Sequence, residues 1–136
     1  MKHLILQALT YSLILIAILG CGKNPSEPND YDIALSPNMD EMEKSFDIVE
    51  DSIKQQVKLM TEVDNGKKST DETMPLIGEQ LKKIAAEIDT QDNIILTIKG
   101  LSPPDEAKTY HDLLVKYYRI RMTTSLYFYR SMSTSD

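Results

Sequence analysis

The chain has 136 residues, 41% of them hydrophobic, with 21 acidic against 15 basic side chains and a formal net charge of −6. That length suits one domain with a modest core, and the acidic balance excludes nucleic acid as a partner, which needs basic side chains to neutralise several phosphates. One cysteine and two histidines rule out an internal disulfide and supply too few nitrogen and sulfur donors for a structural zinc site.

The first element is an apolar run from Leu4 to Leu19, behind the short basic start Met1-Lys2-His3 and interrupted by Gln7, Thr10, Tyr11 and Ser12. These 16 residues fall short of the roughly 20 that a permanent membrane-spanning helix requires. The run is apolar nearly all round, so it lacks the amphipathic period of a core helix. Both features predict the apolar segment of a signal peptide. The run ends on Cys21, the only cysteine, and the chain then turns polar.

The four residues Ile18-Leu19-Gly20-Cys21 resemble the lipobox of bacterial lipoproteins. The resemblance implies cleavage between Gly20 and Cys21 and transfer of a diacylglyceryl group to the Cys21 sulfur. A thioether needs a sulfur nucleophile, and Gly20 gives the peptidase close access to the scissile bond. Ile18 replaces the commoner leucine, and Leu19 is bulkier than the usual residue there. Residues 1–20 are thus expected to be a signal peptide, with the mature protein anchored to a membrane by acyl chains of the palmitate type rather than spanning it. Gly22 is not the aspartate linked to inner-membrane retention, so the same resemblance leans toward the outer membrane. The implied location is the cell membrane or outer membrane, facing periplasm or exterior.

Residues 21–36 carry "GKNPSEPNDYDIALS" after the cysteine. With Pro25, Pro28 and several turn-forming residues, this stretch reads as a flexible tether able to reach about 50 Å at ~3.3 Å per residue. The folded domain is expected over 37–136.

Three periodic segments follow. Met39, Met42, Phe46, Val49, Ile53, Val57, Met60 and Val63 recur at threes and fours, as one helix face requires. Asn38 with Glu41 predicts a capping box at its start. "DNGKKST" breaks the pattern with an Asn-Gly turn signal. The second segment carries Ile77, Leu81, Ile84, Ile88, Ile95 and Ile98, with Gln91 in the missing turn. Pro75 is expected near its first turn and Gly100 at its end. In "LSPPDEA", Ser102 is expected to cap a third helix with Pro103 at its first position, and Ala107, Tyr110, Leu114, Tyr117, Ile120 or Arg121, Thr124 and Phe128 form its stripe. The fold class is all-α, a three-helix up-down-up bundle. The segment Leu101-Ser102-Pro103-Pro104, with His111 and Leu114 following, resembles that of small helical envelope lipoproteins; this implies a fold and no activity.

Chemistry-bearing motifs are sparse. His111 has Asp105 and Asp112 nearby in sequence but no second nitrogen or sulfur ligand after the leader, so no metal site and no cofactor are expected. "EVDNGKKSTDE" lacks the alternating acidic order of a calcium loop and has Lys67 and Lys68 inside it, which makes it a turn. No phosphate loop, Gly-x-Ser-x-Gly or His-Glu-x-x-His is present in the sequence, and the expectation is a protein without catalytic activity. Between residues 37 and 72 there are ten acids and five bases, against four acids and five bases between 105 and 136. The acidic excess reads as a solvated helix face.

The most suggestive stretch is "KYYRIRMTTSLYFYR", because Tyr and Arg are enriched at binding hot spots. Tyr110, Tyr117 and Phe128 are assigned to the core; Tyr118, Tyr127 and Tyr129 are the candidate partner-binding residues. Two functions stay open: a lipid-anchored module that docks an envelope protein or self-associates, and a tethered protein holding a small apolar ligand between its helices. An exposed aromatic patch favours the first, and a closed apolar cavity the second.

Overall fold

The computed structural model describes residues 29–133. The signal peptide at 1–20, the Gly20–Cys21 cleavage site, the Cys21 lipidation site and the tether up to residue 28 lie outside the described residues. Within them are helix α1 (Asp30–Asp64), helix α2 (Thr70–Lys99), a single 3-10 turn (Asp105–Ala107) and helix α3 (Lys108–Ser133), and no strand. Ser45 Oγ donates to the Glu87 carbonyl and Gln56 Nε2 to that of Ile77, so α1 and α2 run antiparallel. Tyr31 meets His111 near the start of both helices and Glu43 meets Arg121 further along both, so α3 runs alongside α1 in the same direction. The three-helix up-down-up bundle is therefore the observed fold.

Helix α1 begins at Asp30, seven residues before the expected boundary at 37, so the second half of the expected tether is helical. Asn29 caps it by accepting from the Asp32 amide at 2.9 Å. Pro37 lies inside the helix and removes one backbone hydrogen bond. Burial of Tyr31 and Leu35 in the main apolar cluster offsets that loss, since burying a large apolar side chain contributes about 1.5–3 kcal/mol. Asn38, the expected cap, sits mid-helix and donates to the Ala34 carbonyl.

Helix α2 also starts early, at Thr70, where Ser69 and Glu72 form a reciprocal capping box. Pro75 is consequently interior and not in the first turn. The connecting turn places Gly66 at φ 66°, a conformation that glycine adopts without a Cβ penalty. Gly100 does end α2, in right-handed geometry. Helix α3 starts at Lys108, later than the expected start at Pro103 behind a Ser102 cap, because Pro104 biases Pro103 away from helical angles.

The core sits at the end of the bundle where α1 begins. Tyr31, Leu35, Met42 and Phe46 meet Ile94, Ile95 and Ile98 from α2 and Leu114 and Tyr118 from α3. Along the rest of the α1–α2 seam Ser45, Val49, Ile84 and Gln91 are buried next to the cluster, and nearer the α1–α2 turn the buried residues are Ser52, Gln56, Thr73 and Gln80. The expected core positions Val57 and Met60 are exposed.

Candidate interaction surface on the third helix

Helix α3 carries two apolar stripes. The inward one runs through His111, Leu114, Tyr118 and Ser125, all buried. The outward one runs through Tyr110, Leu113, Tyr117, Ile120, Thr124 and Tyr127, every one exposed. The spacing of this second set alternates three and four, the interval that keeps side chains along one seam. Leu113, Ile120 and Tyr127 are 61%, 59% and 71% exposed.

The candidate tyrosines divide accordingly. Tyr118 is 1% exposed and belongs to the core, with its ring 6.1 Å from that of Phe46; the expectation that it faces a partner is corrected. Burial pushes its hydroxyl pKa up, and the charge of Glu43 acts in the same direction. Tyr127 is the most exposed large apolar residue described, and Tyr129 is half-buried. Tyr110 and Tyr117, expected in the core, are exposed instead, and Phe128 is half-buried. Leu113 is left out of the sequence-based stripe, and Ile120 enters it only as an alternative to Arg121 on the inward face. Their signal was present, but a single stripe drawn through Tyr110, Leu114 and Tyr117 merges two adjacent helix faces.

The edge between α1 and α3 is held by one charged cluster. Arg121 Nη1 donates to Glu43 Oε2 at 2.8 Å and to Tyr117 Oη at 3.4 Å. Its guanidinium lies 3.8 Å from the centre of the Phe46 ring, in cation–π range. Partial burial opposes the Arg121 charge, but the hydrogen bond and the charge of Glu43 outweigh it and raise the pKa. His111 is buried and pairs through Nδ1 with Tyr31 Oη at 3.0 Å. It is thus an inward residue, not the rim histidine its polarity suggests. Among the described residues no three His, Cys, Asp or Glu side chains gather as a metal site would need.

Two open clefts among the described residues bear on a bound ligand. One of about 400 Å³ lies near the α1–α2 turn, lined by Leu59, Glu62, Lys68, Leu76 and Gln80 among others. The other, about 200 Å³, lies between α1 and α3 against Phe46, Ile53 and Arg121. The first mixes Leu59 and Leu76 with five polar or charged residues, and neither is closed. No described helix is long and apolar enough to cross a membrane. Comparison of the chain with protein-family models, with curated proteins and with solved structures finds no match.

Proposed function

We propose that the protein is a lipid-anchored module of a bacterial cell envelope that works by protein interaction and not by catalysis. Ile18-Leu19-Gly20-Cys21 supports the anchor, with Cys21 as the acylated residue and the folded domain held off the membrane by the residues between Cys21 and Asn29. The observation that carries the interaction reading is the outward stripe of α3, because a row of large apolar residues facing water marks a protein or membrane contact. The net charge of −6 favours protein over an anionic lipid surface, which attracts basic segments. The alternative, a small apolar ligand held between the helices, calls for a concave, mostly apolar pocket; the open clefts described above offer it little support.

Anchoring is tested by growing cells that express the chain with an alkyne-tagged fatty acid and comparing it with Cys21→Ser. The parent is expected to carry label and to fractionate with membranes, and the variant to carry none and to keep its leader. Equal labelling of the two would refute the lipobox reading.

A further inference from the structure

We infer that the partner for the outward stripe of α3 is a second copy of this chain, packed with the two α3 helices parallel about a twofold axis along the bundle. This deepens the interaction reading above and rests on it. Tyr110, Leu113, Tyr117, Ile120, Thr124 and Tyr127 form a seam of nearly three heptads, enough for two helices to interlock knobs into holes.

Charge on either side of the seam supports a second copy and selects its orientation. On one flank α3 presents Asp112, Lys116 and Arg119, all exposed and on one face, with two bases against one acid and the bases beside Tyr117 and Ile120. On the other flank lies α1, whose Glu43 bridges to Arg121 and so marks the face of α1 turned toward α3. Asp40 and Asp47 stand three and four residues from Glu43, hence on that same face, and both are exposed. The surface is therefore acidic, apolar and basic in sequence across its width. A twofold axis parallel to the helices lays the basic flank of each copy over the acidic flank of the other. An antiparallel pairing would lay basic on basic and acidic on acidic, and flanking charges of this kind decide orientation in helical pairs. The parallel arrangement also brings both N-termini to one end of the dimer, as two tethers rooted in one membrane require.

The test uses the full chain in cells and a short bis-maleimide cross-linker. In the parallel dimer residues 113 and 120 each lie opposite their own copy. Leu113→Cys and Ile120→Cys are expected to give a homodimer, identified by mixing two differently tagged copies. Asp89→Cys, an exposed site on α2, is expected to give none. Adding Lys116→Glu to Ile120→Cys should lower the yield about tenfold, a change of about 1.4 kcal/mol, and further adding Asp40→Lys should restore it. All these positions are exposed, so a lost cross-link cannot be blamed on an unfolded core, and unchanged protease resistance of the variants checks this. A cross-link from Ile120→Cys to a different protein would overturn the second-copy proposal while leaving an interaction surface. Loss on Lys116→Glu without rescue by Asp40→Lys would overturn the parallel pairing. The parent chain, whose only thiol is Cys21, reports on anchoring separately: maleimide reaction there would contradict acylation and leave the Ile120→Cys comparison intact.

Discussion

At the end of the bundle where α1 begins, three helices enclose rings and branched aliphatic side chains, with Met42, Ile95, Ile98 and Tyr118 almost wholly buried. At the end that holds the α1–α2 turn, the buried side chains are Ser52, Gln56, Thr73 and Gln80, while Val57, Met60, Met74 and Leu76 face water. The difference follows from helix length. Helix α1 has 35 residues and α3 has 26, and with Glu43 level with Arg121 the turn projects past the described end of α3 by about nine residues, more than two helical turns. Two helices alone cannot enclose an apolar core; they can only share a seam. Cohesion is thus concentrated at one end, while the other is held by capping and a few long hydrogen bonds such as Gln56 to the Ile77 carbonyl at 3.4 Å.

The largest effects should come from the three-helix end. Phe46→Ala and Leu114→Ala each empty a buried site and are expected to cost about 2–5 kcal/mol. Phe46→Ala also removes the ring beneath the Arg121 guanidinium. Val57→Ala, in the projecting hairpin, should stay within about 0.5 kcal/mol, as exposed substitutions do. Urea denaturation of the three variants measures this, and equal losses at Phe46 and Val57 would erase the distinction between the ends.

Gln91 sharpens the comparison. It is fully buried on α2, one turn before Ile95, and neither its amide oxygen nor its nitrogen has a hydrogen-bond partner. A buried polar group without a partner costs about 1–3 kcal/mol. Gln91→Met keeps the length of the side chain and is expected to raise stability by about 1–2 kcal/mol, visible as a higher urea midpoint. A lower midpoint would mean that the amide is satisfied and holds the seam together.

How much was legible in the sequence differs between the same two ends. The spacing of Met42, Phe46, Val49, Ile84, Ile95 and Ile98 predicted buried positions that the structure bears out. The stripe ran on through Val57 and Met60 because apolar periodicity says which face a helix could bury, and not whether a third helix reaches that far. Ser45, Ser52 and Gln56 were missed for the matching reason: polar side chains are buried here by the close approach of α1 and α2. Pro37 hid the first two turns of α1, since a proline reads locally as a break, and only the long-range contact of Tyr31 with His111 shows what offsets it. On α3, two apolar stripes share one helix, and only the position of α1 tells the inward stripe from the outward one.

The smallest predicted effect is at the turn. The Ser69 hydroxyl accepts from the Glu72 amide, and the Glu72 carboxylate accepts from the Ser69 amide at 3.1 Å. Removing the hydroxyl in Ser69→Ala is expected to cost about 1 kcal/mol, felt first as faster hydrogen exchange in the opening turn of α2. Acid should act on the same place. The bond from the Ser69 amide holds the Glu72 carboxyl below its ordinary pKa of 4.5, and the hydrogen bond and charge of Lys68 do the same for Glu62. A carboxyl whose pKa is depressed by folding stabilises the fold above its ordinary pKa and loses that contribution as pH falls through the lowered value. Between pH 5 and 3 the amides of residues 66–73 should therefore lose protection before those of Met42 and Phe46. The step should be smaller than that of Ser69→Ala, because the Glu72 carboxylate is open to solvent screening, and smaller again in the variant, which has already lost half of the capping box. Simultaneous loss of protection at both ends would show that the turn is coupled to the core and not a separate weak region.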